Sequence, residues 1–336
     1  METVVCRTPG ELVVQEVAEP QRRPSEVLLR IRRVGVCGTD YHIFRGTQPY
    51  LSYPRVMGHE LAGKVVDCDE GSAFAPGQPV CVIPYLSCGQ CVACRAGKPN
   101  CCARIAVLGV HRDGGLAEYL CIDEQFVVDA TGLTLDAAAM VEFLAIGHHA
   151  VVRGSVAAGE RLLVVGAGPI GMAVTLFAAL AGASVTVLDG NAARARFCIE
   201  ELGACASSDP GEGVAERLLT LSGGDMFDCV FDCTGSAAAM TTGFGYVAHG
   251  GRYVLVSVVS ADITFSDPEF HKREMTLLGS RNATRDDFDA VIAAMRAGAV
   301  PIAAMHTHSA PLADLPSALP RWMEPQAGVI KAIVEV

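Results

Sequence analysis

The stretch Leu162-Leu-Val-Val-Gly166-Ala-Gly168-Pro169-Ile170-Gly171 constrains the fold more than any other part of the chain. A short apolar run that reads as a buried strand leads into G-x-G-x-x-G, and an Ala/Leu-rich helical stretch, Gly171–Ala181, follows. A tight strand–turn–helix satisfies that order. The first glycine makes the turn and the second lets the backbone approach a pyrophosphate at the helix N-terminus. The third lets helix and strand pack closely. Alone the motif is weak, but here an acid closes the next apolar run: Asp189, 18 residues after Gly171. A carboxylate there accepts hydrogen bonds from ribose hydroxyls and repels a 2′-phosphate, which favours NAD over NADP. Arg194 argues the other way, because a guanidinium can bind that phosphate. Its alternative reading is a solvated charge at a helix start.

The texture around this motif predicts an α/β chain with two different halves. Strand-like runs at Arg161–Val165, Ser184–Leu188, Phe227–Asp232, Gly251–Val256 and Met275–Leu278 alternate with helical stretches such as Ala192–Leu202, the pattern of a doubly wound parallel sheet over 145–279. Residues 1–144 are rich in Gly and Pro, with short apolar runs at Glu26–Ile31, Leu61–Val66 and Pro79–Ile83, and read as irregular, mostly-β structure. A helical piece, Asp286–Ala297, and a β-rich tail ending VIKAIVEV follow. A length of 336 residues suits two domains, at about 150 residues each. The net charge of −11 opposes phosphate-backbone binding, so no nucleic acid is expected. The longest apolar stretch, Ile170 to Ala183, is too short and too rich in Gly and Ala to span a bilayer, so no membrane is expected. METVVCRTPGELVV has neither a basic n-region nor an apolar h-region, so no signal peptide is expected. Fourteen cysteines then read as thiols and metal ligands in a cytoplasmic protein rather than as a disulfide framework.

The densest cysteine run is Cys88-Gly-Gln-Cys91-Val-Ala-Cys94, followed by Cys102. Four thiolates so spaced can wrap one ion, and Zn²⁺ favours such a set in closed, structural sites. The iron–sulfur alternative lacks the Cys-Pro ending of the ferredoxin run. A closed four-thiolate site does no chemistry, so reactive groups must lie elsewhere. Val36-Cys37-Gly38-Thr39-Asp40-Tyr41-His42 offers a thiolate, a hydroxyl and an imidazole, and Gly58-His59-Glu60 a second imidazole and a carboxylate. One Cys, one His and one or two carboxylates with a position left open is the pattern of a catalytic zinc site. Singly, a buried Cys is usually packing and a His–Glu pair usually surface; the combination is what counts.

With these motifs on one chain, the sequence resembles the zinc-dependent medium-chain dehydrogenases, in the sorbitol dehydrogenase branch, along essentially its whole length. The resemblance implies a GroES-like catalytic domain built from 1–144 and 280–336, with a Rossmann domain, 145–279, inserted between and the active site in the cleft. It implies two Zn²⁺ per chain. One is held by Cys37, His59 and Glu60, with Glu142 bound directly or through water; the other is held by Cys88, Cys91, Cys94 and Cys102. Cys101 lies outside the pattern, and Phe143 stands where that branch usually has proline. NAD would meet Gly166, Gly168, Pro169, Ile170, Gly171, Asp189, Arg194, Thr234, Ser257 and Arg281. Dimers or tetramers of one chain are usual in the family.

The implied chemistry is hydride transfer. Zinc lowers the pKa of a substrate hydroxyl and the nicotinamide takes the hydride. Thr39 is placed to hydrogen-bond the reacting hydroxyl, and His42 to pass the proton to solvent, unless it is only a surface residue. Several segments resemble the sugar-acid dehydrogenases of that branch: residues 52–59, 109–115, 265–272 and 279–284. The expected reaction is therefore oxidation of a secondary hydroxyl of an aldonate such as L-galactonate to a keto acid. The alternatives are a neutral polyol as substrate, or a non-catalytic nucleotide-binding protein. An aldonate carboxylate needs local cations, and Arg45, His111 and Arg281 are the candidates. Each has a second reading: solvated charge for Arg45, loop residue for His111, cofactor or domain contact for Arg281.

Overall fold

The computed structural model describes residues 1–336. The chain divides into two compact units, Met1–Glu142 with Thr284–Val336, and Phe143–Ala283. In the second unit six strands form one parallel sheet, ordered Ala206–Ser208, Ser184–Leu188, Arg161–Val165, Phe227–Asp232, Val247–Leu255, Thr276–Gly279. The chain starts at Arg161–Val165, steps outward twice, and then returns to its other side. The order therefore reverses between Arg161–Val165 and Phe227–Asp232, where such sheets bind ligands. The central strands are covered on both faces, which is why they read as continuous apolar runs: Leu162, Leu163, Val164, Val185, Val187 and Val230 are fully buried. Helix Pro169–Leu180 is buried from Gly171 to Ala178, so small residues dominate it. The short strand Ala206–Ser208 and the helix Val214–Leu221 join the elements expected from sequence.

The first unit is organised by the long strand Glu26–Val36, the middle of a seven-stranded sheet. Glu60–Asp67 pairs antiparallel along one side, Tyr119–Asp123 pairs with its first half, and the C-terminal strand Lys331–Glu335 pairs with its second half. Pro79–Val82 and Val127–Asp129 extend one edge, and His306–Pro311 closes the other. The sequence tail therefore completes the sheet begun by residues 26–36. The register sets Glu60 opposite Gly35 on one side and Ile333 opposite Gly35 on the other. A Cβ on Gly35 would stand 2.0 Å from Glu60 Oε2, so only glycine leaves room for that carboxylate. No helix is long and apolar enough to cross a membrane.

Candidate active site

Strand Glu26–Val36 ends where helix Gly38–Arg45 begins, and Cys37 is the hinge between them. Its Sγ accepts the Thr39 N–H at 3.2 Å, and its own N–H donates to Asp40 Oδ2 at 3.0 Å, a capping box built on a thiol. Thr39 and His42 lie three residues apart on that helix, along one face. His59 follows Gly58, whose φ of +90° only glycine adopts easily, and a Cβ there would strike Val34 at 2.8 Å. This turn brings His59 Nε2 to 3.0 Å from Cys37 Sγ.

Around this pair the donor atoms of Cys37, Asp40 and His59 lie within 4.8 Å of one another, and so do those of His59, Glu60 and Glu142. All but Cys37 are almost fully buried. Lys331 Nζ lies 2.7 Å from both Glu60 oxygens, in an ion pair with neither partner exposed. It also donates to the Val36 carbonyl at 3.3 Å, and the Glu60 side chain it pairs with lies against the side-chain-free Gly35. Tyr85 Oη donates to Glu142. Burial raises the Glu142 carboxyl from 4.5 to about 7. Burial disfavours a charged His59, but the facing Cys37 and Asp40 charges outweigh it and raise the imidazole well above its ordinary value.

These residues fit a metal ion. His59 Nδ1 and Asp40 Oδ1 are buried without a hydrogen-bond partner, and the cluster is an electron-rich set that favours a cation. The second set also fits. Cys88, Cys91, Cys94 and Cys102 converge within 4.8 Å, yet every one is a free thiol. Backbone N–H groups of Gln90 and Cys91 lower Cys88 to about 6, and those of Cys94 and Ala103 lower Cys91 to about 7, while burial and the neighbouring thiols raise Cys94 to about 11, so two of the four favour the thiolate without an ion. Thiolates of this kind are metal ligands. Cys101 is exposed beside them.

The nucleotide candidates collect at the C-terminal ends of the parallel strands. Gly166 turns the chain at φ +92°, and Gly168 caps the following helix, with Pro169 in its first turn and Ile170 next to it. A Cβ on Gly171 would lie 1.8 Å from the Gly166 carbonyl, whereas one on Gly168 would meet nothing within 4 Å. The third glycine thus serves packing, and the second leaves open space for a ligand. Asp189 accepts the Ala167 N–H at 2.5 Å with one oxygen and the Asn191 N–H at 2.6 Å with the other. Thr234 donates to buried Asp232 at 2.8 Å just past its strand. Ser257 lies just after strand Val247–Leu255, and exposed Arg281 just after Thr276–Gly279. Arg194 sits in the first turn of helix Ala192–Leu202, its N–H donating to the Asn191 cap.

The remaining candidates are exposed. His42 Nδ1 pairs with the Thr47 hydroxyl at 2.9 Å. Arg45 ends the same helix. His111 Nδ1 accepts the Val107 N–H at 3.1 Å, so its ring donor is Nε2, and Tyr50 stacks on the ring at 6.4 Å. Sequence reasoning missed three residues at the cluster: Asp40, Tyr85 and Lys331. The signals were an acid three residues after Cys37, a tyrosine three before Cys88, and a lysine inside the apolar tail VIKAIVEV.

The two halves of the chain match known families. Residues 23–132 match the alcohol dehydrogenase GroES-like domain, and residues 169–297 match the zinc-binding dehydrogenase family. L-galactonate-5-dehydrogenase of Escherichia coli K12 is 41% identical over 335 residues, 99% of this chain and 98% of that protein. The alcohol dehydrogenase RspB of Escherichia coli CFT073, solved in complex with NADH, superposes with a TM-score of 0.93 at 26% identity, covering 100% of this chain and 99% of that one. A zinc-binding dehydrogenase of Sinorhizobium meliloti 1021 bound to NADP gives 0.92 at 29% identity, covering 100% and 99%. With both halves matched, and a relative this similar along nearly all of its length, the chain belongs to the zinc-binding dehydrogenase family, GroES-like in one domain and Rossmann-type in the other, an oxidoreductase of CH–OH groups.

Proposed function

We propose that the protein oxidises a secondary hydroxyl of a six-carbon sugar acid to a keto acid, with NAD as hydride acceptor and L-galactonate as the first substrate to try. The observation that carries the substrate is the 41% identity to L-galactonate-5-dehydrogenase across 98% of that protein. The chemistry is carried by the buried cluster of Cys37, His59, Glu60 and Glu142 together with the glycine turn at Gly166–Gly171. Cys37, His59 and one or both glutamates would hold the open zinc, and Cys88, Cys91, Cys94 and Cys102 the closed one. Zinc supplies Lewis acidity that lowers a hydroxyl pKa, and the nicotinamide accepts the hydride.

This chain's own residues do the rest. Thr39, fixed in the first helical turn beside Cys37, would bond the reacting hydroxyl. His42, on the same face and exposed, would exchange its proton with solvent. Lys331 neutralises Glu60, so the cluster carries less negative charge against an anionic substrate. Arg45, Arg281 and the Nε2 donor of His111 are the candidates for the far carboxylate. Asp189 favours NAD because a carboxylate repels a 2′-phosphate. The same reading takes the protein as a homodimer or homotetramer.

The test is NAD⁺ reduction by purified enzyme over a panel of aldonates and neutral hexitols. L-galactonate or a close stereoisomer should head the ranking. Equal or faster oxidation of hexitols replaces this reading with a polyol dehydrogenase. No turnover on either panel leaves the sugar-acid assignment wrong.

A further inference from the structure

We propose that Tyr85 is a positioning residue of the open metal site, orienting Glu142 so that it favours ligation through one carboxylate oxygen. The inference rests on reading the His59–Glu60–Glu142 cluster as that site. Tyr85 and Glu142 are 5% and 3% exposed, and the phenol Oη–H donates to Glu142 Oε1. The two buried glutamates are held in different ways. Glu60 has both oxygens against the Lys331 ammonium. Glu142 receives a neutral donor on one oxygen. A carboxylate can grip a cation with one oxygen or both, and a hydrogen bond that fixes its plane biases the choice. With Oε1 bonded to Tyr85, the plane of the Glu142 carboxylate is fixed and one of the lone pairs on Oε1 is occupied, which disfavours a two-oxygen grip and would leave a coordination position for substrate, as a catalytic site requires.

The fold fixes Tyr85 for this task. It lies on the two-residue strand Tyr85–Leu86, paired antiparallel with Ala106–Val107, at the base of the loop that carries Cys88 to Cys102. An ion held by Cys88, Cys91, Cys94 and Cys102 would close the loop that this ladder bounds. That would give a non-reacting metal loop a route to the reacting one, through a single phenol. Partners that orient metal ligands in this way typically matter by about ten- to a hundredfold in activity or affinity.

The experiment compares wild type, Tyr85→Phe, Glu142→Ala and the double variant, each loaded with Co²⁺ as a spectroscopic substitute for zinc. Tyr85→Phe keeps the ring and removes only the hydroxyl. It should lower kcat/KM by about ten- to a hundredfold and weaken the visible cobalt band, as Glu142 closes on the ion with both oxygens. In the Glu142→Ala background the same change should leave the cobalt spectrum and the chelator-competition affinity untouched, because Tyr85 then has nothing to hold. A wild-type-like spectrum and kcat/KM in Tyr85→Phe overturns the proposal. So does an equal spectral change with and without Glu142, which would mark Tyr85 as merely structural. Uptake of a single ion per chain by wild type overturns the underlying site, and the proposal with it.

Discussion

At the scale of single residues, the candidate site is governed by how buried charges are balanced. His59 is raised above its usual 6.5 and Glu142 is raised to about 7, so both favour a bound proton in the fold. For each, the unfolded chain releases its proton at lower pH than the folded chain. Stability from His59 is present below 6.5 and is lost as pH rises past its folded value. Glu142 acts in the same direction, costing stability as pH rises from 4.5 to about 7. A cation at the cluster takes the place of those protons. Metal-stripped protein should therefore melt at lower temperature at pH 8 than at pH 5.5. Added zinc should recover more at pH 8, and Glu142→Gln should flatten the metal-free profile. Calorimetry with and without zinc reads this directly, and a metal-free melt that rises with pH contradicts it. Asp189 gives a second expectation. Replacing it with Ser removes the acceptor of the Ala167 and Asn191 N–H groups and the repulsion toward a 2′-phosphate. NAD affinity should fall by about ten- to a hundredfold, one charge-assisted hydrogen bond's worth, while NADP use rises. Wild-type turnover with NADP equal to that with NAD would show that Arg194 outweighs Asp189.

At the scale of elements, three strands meet around Gly35, and their register makes the site possible. The Glu60 carboxylate lies against a residue with no side chain and there meets Lys331, 271 positions away in sequence. Lys331→Ala strands a buried carboxylate and should cost about 3–5 kcal/mol of stability, whereas the paired change Lys331→Met with Glu60→Gln should cost far less. Chemical denaturation of both variants measures the difference; equal losses would mean the lysine acts through packing of its stem rather than its charge. This register also shows where sequence reasoning stops. The strands Arg161–Val165, Ser184–Leu188 and Phe227–Asp232 were readable to the residue because burial on both faces leaves short, mostly apolar, β-branched-rich or aromatic runs between turns. Ala206–Ser208 was not, being a three-residue edge strand of small, half-buried side chains. Cys37, His59 and the four-cysteine run were readable as candidates because residue types that can ligate metal are chemically distinctive and locally spaced. Asp40, Tyr85 and Lys331 were not, because their importance lies in what they touch. A lysine in an apolar strand signals a buried partner but does not say which one.

At the scale of the whole molecule, the chain carries two donor sets of opposite character, and this leads to one measurement. The four-cysteine set offers sulfur donors only and lies on a loop, and would make a closed site. The Cys37–His59–glutamate set mixes sulfur, nitrogen and oxygen and is almost wholly buried, with an ion pair and a phenol around it. Protein purified without chelator should contain two zinc equivalents per chain. A closed tetrahedral thiolate site exchanges slowly because every position is filled by protein, whereas an open site gives a chelator a position to enter. Treatment with a bidentate chelator should therefore remove one equivalent first and abolish turnover at that point, with a modest fall in melting temperature that is larger at pH 8 than at pH 5.5. Removing the second should unfold the loop and lower the melting temperature sharply. The variants should divide the same way. Cys37→Ala should lose turnover and one zinc with a modest drop in melting temperature from the lost helix cap, and Cys91→Ala should lose the other zinc and much more of its stability, since structural zinc binding is linked to folding. Elemental analysis alongside activity and calorimetry decides the matter. Loss of activity only with the second equivalent would reverse the roles of the two sites, and a single equivalent in untreated protein would remove one of them.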